Sequence, residues 1–138
     1  MSGIPDMCGR VTYVLFPFWC ALMATPPSDV ARIRQLNDDM RTGGPITRDD
    51  ARWLVTRGVI NLGRQVAQDA LRAVSTFDKF DADNDPHGEH DFGSFTIAGE
   101  TLFWKIDYHD RQLQGASPDA TDIERTCRVL TLMLASEY

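Results

Sequence analysis

FGSFTIAGETLFWKIDY, residues 92–108, is the stretch whose reading decides the fold. Two runs of aromatic and β-branched residues flank Ala98-Gly99-Glu100. Apolar and polar residues alternate within each run, the pattern of a hairpin with one dry face and one wet face. A two-residue turn at Gly99-Glu100, glycine first as a type II′ turn favours, pairs Phe95 with Trp104 and Ile97 with Leu102. Ile106 joins that apolar face. The other face carries Ser94 opposite Lys105 and Phe92 opposite Asp107. Extending the ladder sets His90 opposite His109, with Asp107 two residues along on the same face.

Working outward, Ser28 caps a helix whose apolar positions are Val30, Ile33, Leu36 and Met40, and Gly43-Gly44-Pro45 ends it. Residues 52–57, RWLVTR, read as a strand, with a helix over 47–57 as the alternative. After Gly58, the stripe Leu62, Val66, Ala70, Ala73 and Phe77 predicts a second helix. A polar loop follows from Asp78 to His90. Beyond the hairpin, Gly115, Ser117 and Pro118 mark another loop. Thr121 with Glu124 three residues later has the spacing of a capping box, which predicts a final helix with Ile123, Cys127, Leu130 and Leu134 inward. The order α-β-α-β-β-α implies an α+β fold, a small, mainly antiparallel sheet with helices packed on one face.

The 138 residues fit one domain, taken here as 23–138. Residues 11–24, VTYVLFPFWCALMA, form an apolar run broken by Pro17 and too short to span a bilayer, which needs about 20 residues. Residues 1–22 are therefore read first as an extension, non-native or disordered, ahead of a start at Met23. An apolar packing arm and an export signal are the alternatives. Cys8, Cys20 and Cys127 show neither C-x-x-C nor framework spacing, which argues for free thiols in the cytoplasm.

Apolar residues make up 43% and charged residues 25%, and the net charge is −6. That balance argues against direct binding of nucleic acid or of an anionic membrane. Charge is segregated. Residues 78–110 hold nine acids against Lys79 and Lys105, whereas residues 24–77 are net basic. All three histidines lie in the acidic stretch.

Several chemistries suit that stretch. His87, His90, Asp107 and His109 are the candidate metal ligands, since imidazoles with a carboxylate suit Zn²⁺. Asp81, Asp83 and Asp85 suggest Ca²⁺, but the EF-hand pattern fails: counted from Asp83, Gly88 falls in place and Ser94 stands where Glu is required. Lys105 near Asp107 suggests a metal-dependent nuclease, without the usual acid spacing; a surface ion pair is the plainer reading. No phosphate loop, G-x-S-x-G or H-E-x-x-H is present.

NDPHGEHDFG (84–93), FWKIDYHD (103–110), QGASPDATD (114–122) and TCRVLTLMLASEY (126–138) resemble a family of small bacterial proteins described only as a domain of unknown function. The family is frequent in alphaproteobacteria and on plasmids and other mobile elements. The resemblance covers residues 28–138 and leaves 1–22 outside. It commonly has a second Tyr where this chain has His109, which weakens a shared His90–His109 metal pair. The matched positions are Asp85, His87, Glu89, His90, Asp91, Lys105 and Asp107, and the resemblance carries no activity with it.

The leading expectation is an acidic interaction module of a mobile element, without enzymatic activity or cofactor. It would bind a protein partner with a basic surface through Asp81, Asp83, Asp85 and Glu89, and so modulate a nucleic-acid-binding host defence protein. The alternative is a metal-assisted hydrolase or phosphoesterase using Zn or Mg, with His90, Glu89, Asp91 and Lys105 as catalytic candidates. A structural module, whose motif builds the hairpin through Pro86, Gly88 and Gly93, is the third.

Overall fold

The computed structural model describes residues 28–138, so the expectations for 1–22, Cys8 and Cys20 lie outside the described residues. Its elements are α1 (Asp29–Thr42), β1 (Ala51–Val55), α2 (Arg57–Ile60), α3 (Arg64–Ser75), β2 (Phe92–Ile97), β3 (Glu100–His109) and β4 (Cys127–Leu134), with a closing 3₁₀ turn at Ala135–Glu137. The strands lie in the order β1-β4-β3-β2. β1 runs parallel to β4, and the other two pairings are antiparallel. The fold is α+β.

The hairpin forms, but its turn is Ala98-Gly99, because Ile97 pairs with Glu100. Both turn residues take left-handed φ, 53° and 79°, as a type I′ turn requires. The ladder therefore slides by two residues from the expected one. An even slide preserves the faces, so Phe95, Ile97, Leu102, Trp104 and Ile106 still share one side. It changes the partners: Gly93 now faces Trp104 and Phe95 faces Leu102. This register has a steric logic. A Cβ at position 93 would overlap the Trp104 indole and sit 2.9 Å from Phe77 Cζ, so the residue facing the indole has to be glycine.

The expected final helix is the central strand β4. Its neighbours on both sides bury it along nearly its whole length, from Cys127 to Leu134. A strand dry on both faces is apolar without alternation, and its sequence then resembles a buried helix. The Thr121–Glu124 capping box does not form either. Asp119 Oδ1 accepts from both the backbone N–H (3.0 Å) and the hydroxyl (2.6 Å) of Thr121, and Asp122 Oδ1 accepts from Glu124 N–H at 2.9 Å. These side chains close local turns and leave Thr121 no role as a helix cap.

One apolar core joins Met40 of α1, Val59 of α2 and Ala70 and Val74 of α3 to Trp53, Leu102, Trp104, Ile106, Leu130 and Leu132. By strand alternation these sheet residues lie on one face, so the helices pack on one side, as the sequence implies. The inward face of α1 is turned from the expected stripe. Val30 is exposed, and the buried positions are Asn37, Met40 and Arg41. The chain end is tied back to α2: Glu137 Oε1 accepts from Thr56 Oγ1 (2.7 Å) and from Leu134 N–H (2.8 Å). Those bonds hold its carboxyl below the usual carboxylate range, the Thr56 hydroxyl contributing most.

Candidate functional site

The motif residues 84–93 fold back against α1. The sequence causes this locally: Asp81 Oδ1 accepts from Asp83 N–H and Asn84 N–H, and Asp85 O accepts from Gly88 N–H. Gly88 and His90 then take left-handed φ values of 71° and 55°. That conformation is easy for glycine and strained for histidine, and it is held by the contacts His90 makes.

His90 is enclosed by carboxylates and an aromatic ring. Its backbone N–H donates to Asp85 Oδ1 at 3.0 Å, and its Nδ1 lies 3.0 Å from Asp38 Oδ1. Its Nε2 lies 3.7 Å from Asp85 Oδ2. The imidazole stacks flat on Phe80, with centroids 3.8 Å apart and planes 3° from parallel. Asp38 also pairs with Arg41 at 3.1 Å. The buried Arg41 guanidinium donates to the carbonyls of Val74 and Phe77, at 2.9 and 2.8 Å, and so closes the C-terminal end of α3.

A second knot centres on Asn37. Its Nδ2 donates to Glu89 O at 2.9 Å and to Tyr108 Oη at 2.7 Å, while its Oδ1 accepts from Arg128 Nε at 2.7 Å. Both amide hydrogens and the carbonyl are thereby used. Tyr108 donates its own proton to Glu89 Oε1 at 2.8 Å. Burial, opposed by Asn37 and reinforced by Glu89, pushes the phenol above its ordinary range. Arg128 also donates to Ala120 O and lies over the Tyr108 ring, 5.2 Å from its centroid. Burial lowers the guanidinium from its ordinary value. Asp91, half-buried, has its carboxyl pushed up by burial first and then by the nearby Glu89 and Asp85.

These placements sort the expected site residues. Asp85, Glu89 and His90 come together, but toward α1. Asp81, Asp83 and His87 remain exposed. Lys105 and Asp107 pair at 2.8 Å on the sheet face opposite Tyr108, which removes Lys105 from the His90 side. His109 pairs in register with Cys127, and β2 begins only at Phe92, so the expected His90–His109 opposition does not occur. The two-residue slide and the turned backbone at His90 are the cause. His87, His90, Asp107 and His109 do not converge, and no group of three or more His, Cys, Asp or Glu is placed to hold a metal among the described residues.

Asn37, Asp38, Arg41, Tyr108 and Arg128 were not foreseen. A signal existed for three of them. Ile33, Asn37 and Arg41 recur at helical spacing in α1, and Arg128 interrupts an apolar run; a polar residue on an apolar stripe implies a buried partner.

The family model described as Protein of unknown function (DUF3768) matches residues 55–137. The chain belongs to that family. The matched span contains the whole motif 84–93, β3 and β4, and begins after α1, narrower than the 28–138 of the resemblance. No curated protein and no solved structure matches the chain.

Proposed function

We propose that the protein is a non-catalytic interaction module that presents an acidic rim to a basic protein surface. The observation that carries this reading is the division of labour within residues 78–91. His90 and Glu89 hold the loop to α1 and β3, Asp85 braces His90 from within the loop, and Asp78, Asp81 and Asp83 stay exposed. A loop anchored this way presents its charges with little ordering cost on association. Asp85 and Glu89 thus leave the expected contact set and become its support. The mobile-element setting implied by the resemblance favours a nucleic-acid-binding host defence protein as partner, met in the cytoplasm. No helix among the described residues is long and apolar enough to cross a membrane.

The hydrolase alternative receives less support, because both ring nitrogens of His90 face carboxylates of its own chain and Lys105 is paired elsewhere. The test is capture of partners from lysate on the immobilised full chain, compared with the triple variant Asp78→Asn, Asp81→Asn, Asp83→Asn. Asparagine at 81 keeps an oxygen for the turn, so the variant changes charge and spares the loop. The expected result is a partner released between about 50 and 500 mM salt, where screening shortens severalfold, and lost in the variant. Capture indifferent to both overturns the reading.

A further inference from the structure

Arg128 poses a problem that the acidic rim does not answer. Its side chain is buried, 3% exposed, yet it forms no ion pair with a carboxylate of the described residues. Its bonds go to neutral oxygens, Asn37 Oδ1 through Nε and Ala120 O through Nη2. The Nη1 group has no hydrogen-bond partner among the described residues. A buried cation with no directly paired carboxylate is costly; Asp50 and Glu89 lie near enough to favour its charge, and Arg32 nearby opposes it.

The same residue lines a groove of about 300 Å³ between α1, the entry to β1 and the 110–126 loop. Leu36, Met40, Ala51 and Ile123 give the groove an apolar wall. Its two acids already have partners: Asp50 is paired with Arg48 at 2.9 Å, and Asp39 accepts from Gln35 at 2.9 Å. Of the two cations that line the groove, Arg48 is taken by Asp50, and Arg128 has no ion-pair partner among the described residues.

We infer that this groove binds a small monocarboxylate with an apolar tail, the carboxylate on Arg128 and the tail against Leu36, Met40 and Ile123. A carboxylate accepts from a guanidinium edge with charge assistance, which offsets the burial of both groups. Asp39 and Asp50 at the rim disfavour a multiply charged anion such as phosphate, and the apolar wall disfavours a ligand that is all charge. The assignment is independent of the acidic rim, which lies on the 78–91 loop.

The test is an NMR titration of the full chain with hexanoate, hexanol and inorganic phosphate. Hexanol keeps the tail without the charge, and phosphate keeps charge without the tail. The expected result is that hexanoate moves the backbone signals of Ala51 and Ile123 and a side-chain N–H of Arg128, with hexanol and phosphate at least about tenfold weaker. Arg128→Gln should abolish the response. Because Arg128 also holds Asn37, Ile123→Trp provides the second variant: it fills the groove from an exposed position and should abolish hexanoate binding while signals elsewhere stay in place. Binding of hexanol or phosphate as tight as hexanoate, shifts that map to another surface, or hexanoate binding unchanged in Ile123→Trp overturns the assignment.

Discussion

The two long loops on either side of the hairpin look alike in sequence, and they are held in opposite ways. Residues 78–91 and 110–126 each carry several Asp, one Gly and one Pro. In 110–126 the acids serve the backbone beside them. Asp110 Oδ1 accepts from Gln112 and Gln114 N–H, and Asp119 and Asp122 act likewise. In 78–91 Asp81 and Asp85 also accept from nearby backbone, but Glu89 and His90 reach out of the loop to α1 and β3, with partners up to 52 positions away. A loop built from local turns can be altered piecemeal. One built into a buried polar network fails as a unit, since each lost partner strands others.

Asn37→Ala is the severest way to test that contrast. It leaves Arg128 Nε, Tyr108 and Glu89 O each short of a bond, and a loss of about 3 kcal/mol in denaturant unfolding is expected. A loss under about 1 kcal/mol would mean that water replaces the amide and the loop is not held as a unit. Gly93→Ala strikes the same loop where it enters β2. The added Cβ meets the Trp104 indole and Phe77, so the cost is overpacking of about 2 kcal/mol. The small volume change makes the expected loss diagnostic, because an unaffected variant would require the indole to move.

How each loop is held also explains what could be read in advance. The alternation in residues 92–108 exposed the two faces of the hairpin, and an even slide of register left them intact while separating His90 from His109. Nothing in the local pattern distinguishes Gly99-Glu100 from Ala98-Gly99 as the turn, because what decides is the fit of Gly93 under Trp104, a contact between strands. β4 was misread for a related reason: burial on both faces erases the period that separates strand from helix. The Thr121–Glu124 spacing was real, but Asp119 lies two residues upstream and takes the Thr121 amide first. The polar knots were the least legible. Their chemistry requires α1, β3 and β4 to meet, and only the intrusion of Asn37, Arg41 and Arg128 into apolar stripes hints at it.

The smallest effects give the finest comparison, because a carboxylate in each loop should respond to pH with opposite sign. Asp91 is half-buried with its pKa raised, so the folded state retains its proton longer than the unfolded chain. Its ionisation therefore subtracts stability as pH rises from the ordinary carboxylate range through the raised value. Asp91→Asn should be more stable than the parent at neutral pH, and the gain should vanish below about pH 4. Asp119, exposed, has its pKa lowered chiefly by the Thr121 hydroxyl and backbone N–H. Its ionisation adds stability that is present above the unfolded value and fades as pH falls through the lower folded one. Asp119→Ala should therefore melt slightly below the parent at neutral pH, by no more than about 2 °C, with the gap closing in acid. Melting temperatures of the two variants across pH 3 to 7 decide the matter. Curves of the same sign would mean that Asp91 is supported by its surroundings rather than opposed by them, and the distinction between a loop spent on burial and a loop spent on local turns would then fail at the residue where it is sharpest.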